Sequence, residues 1–83
     1  MKTVIMFAGQ HCVPCKTMKP VIEEACAEAG VLLEIEYINA SSPAVERYGI
    51  RAVPTFLVVS EGNVVKFSGV KTKEEVLEFI NGV

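Results

Sequence analysis

The six residues HCVPCK, at positions 11–16, lie where an apolar run ends and a helical pattern begins. The apolar run, residues 2–8, predicts a strand that is buried on both faces. From residue 13 to residue 29, apolar side chains recur at helical spacing, which predicts an amphipathic helix. Cys12 and Cys15 therefore fall at the start of that helix. Residues three apart on a helix are neighbours, so their sulfur atoms can meet and bond.

A thiol at the start of a helix is unusually reactive. The unpaired N–H groups of the first turn carry partial positive charge. That charge stabilises a thiolate and lowers the pKa of a cysteine, which makes the thiol a better nucleophile. We therefore interpret Cys12 and Cys15 as a redox-active dithiol.

Two other interpretations of the cysteine pair stay open at this point. One is a static structural disulfide, and the other is part of a metal site. Zinc and iron–sulfur sites usually need four ligands, and the chain adds only Cys26 and His11. Cys26 lies on the apolar face of the same predicted helix, roughly 16 Å beyond Cys15 at about 1.5 Å per residue. We expect it to be a buried hydrophobic residue, so a metal would have to be shared between two copies.

The remaining segments predict three strands and two helices. Residues 31–38 predict an edge strand, because Leu33, Ile35 and Tyr37 share one face and two glutamates share the other. Residues 55–60 and 63–68 flank Glu61-Gly62 and predict a hairpin. A short helix is predicted to begin at Pro43 with Ser42 as its cap, and residues 72–75 form a capping box for the last helix. The inner face of that last helix is predicted to comprise Val76, Leu77, Ile80 and Val83.

The predicted order β-α-β-α-β-β-α indicates an α/β fold. One right-handed parallel crossover is followed by an antiparallel hairpin. The result is a four-stranded mixed sheet with helices on both faces, and residues 1–83 are expected to form a single domain.

Composition excludes several classes of function. The formal net charge of the 83 residues is −2 and no basic cluster occurs, so nucleic acid is not an expected partner. The apolar runs are too short for a membrane span or for the usual signal-peptide core. With three cysteines and no export signal, we expect a protein of the reducing cytoplasm.

Several stretches together resemble the thioredoxin family. The resemblance rests on CVPCK at residues 12–16, on Pro20 in the same helix, on YGIRAVPT at residues 48–55 and on EGN at residues 61–63. It extends from Lys2 to the C-terminus, and the stretch at residues 48–55 is long and specific. The implied structure is a thioredoxin fold in which Pro54 is cis and packs beside the disulfide.

The resemblance implies a thiol–disulfide oxidoreductase that reduces protein disulfides without a bound cofactor. Cys12 would attack, Cys15 would resolve the mixed disulfide, and a flavin- and NADPH-dependent thioredoxin reductase would reduce the product. Ribonucleotide reductase is one protein substrate that the resemblance suggests, and we expect a monomer. The substrate-contacting residues on this basis are His11, Val13, Pro14, Val53, Pro54, Thr55 and Gly69.

The departures from the family pattern keep alternatives open. The family's buried acid aligns with Met6 and its partner lysine with Ile35, so the usual proton acceptor is missing. His11 stands where tryptophan is usual, and Val13 where glycine is usual. The first strand begins at Lys2, without a preceding strand and helix, which brings the size closer to glutaredoxins. A glutathione-linked enzyme and, beyond it, a thiol- or iron–sulfur-binding module are the alternatives.

His11 is the titratable neighbour of Cys12 in the sequence. Histidine changes charge near neutral pH, and a protonated ring would stabilise a neighbouring thiolate. The competing interpretation is a solvated loop residue without coupling to Cys12, because adjacency does not determine the direction of the ring.

Overall fold

The computed structural model describes residues 1–82, and its elements follow the predicted order. They are β1 (Lys2–Ala8), α1 (Val13–Ala29), β2 (Leu32–Tyr37), α2 (Pro43–Arg47), β3 (Thr55–Ser60), β4 (Asn63–Ser68) and α3 (Lys73–Asn81). Val83, which was predicted on the inner face of α3, lies outside the described residues. No helix of residues 1–82 has the length and apolarity that a membrane crossing requires.

The four strands form one sheet in the order β2-β1-β3-β4. β1 runs parallel to β2 and antiparallel to β3, and β3 pairs with β4 in an antiparallel hairpin. This confirms the predicted mixed sheet and the edge position of β2.

β2 is one residue shorter at each end than the prediction. The backbone N–H of Val31 donates to the Cys26 carbonyl at 3.0 Å, so it belongs to the end of α1 instead of to the sheet. At the other end, the N–H of Ile38 donates to the Ala8 carbonyl at 2.8 Å, and β1 offers no further partner because it ends there.

Helices lie on both faces of the sheet. Successive side chains of β1 point to opposite faces, so β1 contributes to the core on each side. Val4, Met6 and Ala8 join the core that α1 and α3 cover. Phe7 points to the other face and packs with Ile50 and nearby apolar residues beside α2. Full burial of one large apolar side chain contributes about 1.5–3 kcal/mol, so the two cores hold the layers together.

The two long helices begin as their sequences predict, and α1 also ends as predicted. Pro14 lies in the first turn of α1, and the helix continues through Pro20. Gly30 ends α1 with φ +70°, a left-handed conformation that glycine adopts without strain. In α3, the Thr72 hydroxyl accepts from the Glu75 N–H and the Glu75 carboxylate accepts from the Thr72 N–H, which confirms the capping box.

Ser42 behaves differently from a normal helix cap. It occupies the cap position of α2, but its hydroxyl accepts from the Asn39 N–H at 3.0 Å and makes no capping bond. α2 ends at Arg47, and Gly49 follows with φ +63°.

Candidate redox-active site

Cys12 is the cap residue of α1, and its sulfur takes the place of a capping oxygen. The backbone of Cys12 is extended, with φ −101° and ψ 107°, which turns its side chain over the first turn. The Cys15 N–H donates to Cys12 Sγ, with 3.2 Å between nitrogen and sulfur. One of the orphan N–H groups of the helix start is thereby directed at the Cys12 sulfur.

Cys12 and Cys15 are joined by a disulfide, with their Cα atoms 5.2 Å apart. The two sulfurs differ in depth. Cys12 is half-buried, whereas only 4 % of Cys15 is exposed. The outer sulfur is therefore the one that a large partner can reach.

The loop before β3 forms the opposite side of the site. The Val53–Pro54 peptide bond is cis, as the resemblance implied, and the Val53 carbonyl oxygen lies 3.7 Å from Cys12 Sγ. The Gly69 N–H donates to the Pro54 carbonyl at 3.1 Å. Residues far apart in the sequence thus meet beside the disulfide.

These contacts place most of the predicted substrate-contacting residues around one surface. Val13 is 71 % exposed, and Val53 and Gly69 are half-buried. His11 and Pro14 are exposed at the turn into α1.

Pro54 and Thr55 are buried beneath that surface. The Thr55 hydroxyl donates to the Ala52 carbonyl at 2.6 Å, so its proton is engaged inside the protein. These two residues therefore support the loop from below.

Comparison with known proteins identifies the arrangement. The family model described as thioredoxin matches residues 1–82. The chain belongs to the thioredoxin family. Thioredoxin from Bacillus subtilis (strain 168) is 40 % identical over 78 residues, which are 90 % of this chain and 75 % of that protein. Thioredoxin from Methanocaldococcus jannaschii is 36 % identical over 77 residues, which are 90 % of this chain and 87 % of that protein.

Solved thioredoxin structures agree with this assignment. The crystal structure of thioredoxin NaTrxh from Nicotiana alata superposes with a TM-score of 0.79 at 32 % identity, over 98 % of this chain and 71 % of that one. The fold is the thioredoxin fold. The protein is a thiol–disulfide oxidoreductase whose redox-active pair is Cys12 and Cys15.

The surroundings of the deeper sulfur include the two apolar residues that the family resemblance aligns with an acid and a lysine. Met6 on β1 is paired in register with Ile35 on β2. Both residues line a cavity of about 240 Å³ that also contacts Cys15. Among the described residues, no carboxylate lines this cavity.

Gly9 is a site residue that the sequence analysis assigned only to a loop. A Cβ atom at this position would lie 3.1 Å from Val53 Cγ2 and 3.8 Å from the Cys12 Cβ, so the glycine lets the Val53 loop approach the cysteine closely. The signal was a glycine between the strand and the thioredoxin motif, but its partner could not be read from the sequence.

Cys26 has the opposite environment to the pair. It is 2 % exposed among apolar side chains, and this burial raises the pKa of its thiol to about 11. It is a structural residue of the core, as predicted. Within residues 1–82, no group of three or more histidine, cysteine or acidic side chains is arranged to hold a metal ion.

Proposed function

We propose that Cys12, as a thiolate, attacks one sulfur of a disulfide in a protein substrate and forms a mixed disulfide. The other substrate sulfur leaves as a thiolate and takes a proton from solvent. Cys15 then loses its proton and attacks Cys12 Sγ, which releases the second substrate thiol. The substrate gains two electrons, and the protein is left with the Cys12–Cys15 disulfide.

The hydrogen bond from the Cys15 N–H to Cys12 Sγ carries this assignment of roles. A hydrogen bond to a charged acceptor contributes about 1.5–3 kcal/mol, and it is weaker when the sulfur is uncharged, as in a thiol or a disulfide. It therefore favours the thiolate at Cys12 as nucleophile and as leaving group. The depth of Cys15 supports its role as the resolving thiol, because a protein substrate cannot reach it first.

The contact surface for substrates is proposed to comprise Val13, Val53 and Gly69, with His11 and Pro14 at its edge. Exposed apolar groups beside a reactive sulfur suit a segment of extended chain that flanks a disulfide. Pro54 and Thr55 hold this surface in place instead of contacting the substrate through their side chains.

We infer that the electrons come from NADPH through a thioredoxin reductase-like flavoprotein, and that the protein acts as a monomer in the cytoplasm. Family membership supports protein disulfides as substrates, and ribonucleotide reductase is one proposed example.

Reduction of insulin disulfides tests this function with two electron donors. In one arm the donors are thioredoxin reductase and NADPH, and in the other they are glutathione, its reductase and NADPH. We expect turnover in the first arm and only background in the second. Efficient turnover with glutathione alone would favour the glutaredoxin-like alternative. No turnover in either arm, with the Cys12–Cys15 disulfide unreduced, would contradict the proposal.

A further inference from the structure

The cavity beside Cys15 lies between α1 and the edge strand β2. Its volume is about 240 Å³. Pockets for drug-sized ligands span about 300–1,000 Å³, so the occupant of this cavity has to be smaller. Neither Cys12 nor the contact surface of Val13, Val53 and Gly69 lines it. The cavity therefore adjoins the surface proposed for protein substrates only at His11, which lies at the edge of that surface.

The inner wall of the cavity is apolar. Met6 and Ala8 are buried there, and Ile35 is half-buried. These three side chains offer no hydrogen bond, so a wholly polar ion would lose its hydration without compensation. An aliphatic segment, in contrast, is stabilised in this part of the cavity because its apolar surface is removed from water.

The outer side of the cavity carries positive charge. Lys16 and Lys19 line it from the exposed face of α1, and they are neighbours because they are three residues apart. Within residues 1–82, neither lysine forms an ion pair or a side-chain hydrogen bond. Lys73, in contrast, contacts both Glu24 and Glu28.

Three further polar residues complete the outer side, and one of them is the exposed His11. Tyr37, which is 58 % exposed, and Gln10 both line the cavity and can donate hydrogen bonds to an anion. An apolar interior beneath two unpaired cations complements a small molecule with one aliphatic end and one anionic end.

We propose that this cavity binds a short-chain aliphatic carboxylate. The alkyl chain lies against Met6, Ala8 and Ile35, and the carboxylate lies near Lys16 and Lys19. The proposal does not depend on the proposed reaction, because it requires no redox step. Exposed ion pairs are weak and the buried area is small, so we expect a dissociation constant on the order of millimolar.

Methyl NMR of the oxidised protein during a titration with hexanoate tests this site. We expect saturable shifts of the Met6, Ala8 and Ile35 methyl signals. Hexan-1-ol and hexylammonium are matched ligands that keep the chain and change the head group. Both are expected to bind at least about threefold more weakly, because neither pairs with the lysines.

Variants separate the two parts of the site. The double substitution Lys16→Gln with Lys19→Gln should weaken hexanoate binding by about three- to tenfold. Lys71→Gln, at a lysine that does not line the cavity, is the control and should leave the affinity unchanged. Ile35→Phe places a larger side chain in the cavity from an edge strand, and it should remove the saturable shifts while thermal unfolding shows a folded protein.

Three results would overturn the proposal. One is the absence of saturable methyl shifts in the parent protein, and another is hexylammonium binding as tightly as hexanoate. The third is saturation at Val13 and Val53 without shifts at Met6 and Ile35, which would place the ligand on the contact surface instead.

Discussion

Cys12 and Cys26 lie on the same helix, and the protein uses them in opposite ways. Cys12 stands at the helix start, half-buried, with a backbone N–H directed at its sulfur. Cys26 stands near the helix end, packed among apolar side chains, with a raised pKa. The amino acid is the same, so the difference in chemistry comes from position along α1 and from access to water.

This comparison distinguishes the environment that makes a thiol reactive from the environment that keeps a thiol protonated and unreactive. The helix start supplies unpaired N–H groups that favour a thiolate, whereas desolvation in the core disfavours the charged form. The Cys26 thiol can therefore remain free in the same protein as a reactive pair, without taking part in thiol–disulfide exchange.

The largest expected effect on activity comes from substituting Cys12 or Cys15, and the two substitutions should have different results. Cys12→Ser should reduce insulin reduction to background, because the nucleophile is lost. Cys15→Ser should form the first bond but fail to break it, so the protein should accumulate as a mixed disulfide with its substrate. Mass spectrometry of the non-reduced products distinguishes the two variants. Accumulation by Cys12→Ser in place of Cys15→Ser would reverse the assigned roles.

A substitution at Cys26 should affect stability and leave the chemistry intact. Cys26→Ser places a hydroxyl in an apolar core and should lower the free energy of unfolding by about 1–3 kcal/mol. Cys26→Ala is the matched control, with a smaller loss because it introduces no polar group. Urea unfolding measures the stability of both variants. If either folded variant loses most of its insulin-reducing activity, Cys26 has a role that the comparison denies.

The raised pKa of Cys26 predicts a loss of stability at alkaline pH. The Cys26 thiol has a pKa of about 11 in the folded protein and its ordinary value of 9.0 in the unfolded chain. Between these two pH values the unfolded chain loses the thiol proton and the folded protein keeps it. The contribution of Cys26 to the free energy of unfolding therefore falls as pH rises through this window. Between about pH 8 and about pH 10.5, the parent should lose about 1–2 kcal/mol relative to Cys26→Ala. Urea unfolding of both proteins at each pH measures this difference in the free energy of unfolding. If the difference between the parent and Cys26→Ala is the same at both pH values, the prediction is wrong.

His11 gives the smallest expected effect. It is exposed, with φ +60°, and among the described residues it makes no hydrogen bond to Cys12. We predict on this basis that His11 behaves as a solvated loop residue without coupling to Cys12. We expect His11→Ala to change the alkylation rate of reduced Cys12 at neutral pH by less than about twofold. A decrease of tenfold or so would instead support the coupled histidine.

The sequence predicted those features that depend on neighbours along the chain. The bounds of β3 and β4 follow from the Glu61-Gly62 turn, and the start of α3 follows from its capping box. The bounds of β2 were less accurate, because the Val31 N–H is engaged by the end of α1.

Features that depend on contacts between distant segments could not be derived in this way. The cis bond before Pro54 was expected only through the family resemblance. The approach of Val53 to Gly9 and the cavity between α1 and β2 each require the folded arrangement. The burial of Thr55 was also missed, since a threonine at the start of a strand carries no signal for depth.

The order in which the three thiols react tests the central claim most directly. The fully reduced, folded protein is treated with a limiting amount of iodoacetamide, and peptide mass spectrometry locates the modification. We predict that Cys12 reacts first, that Cys15 follows more slowly, and that Cys26 reacts only after unfolding in urea. If Cys15 or Cys26 reacts before Cys12 in the folded protein, position along the helix does not determine thiol reactivity here.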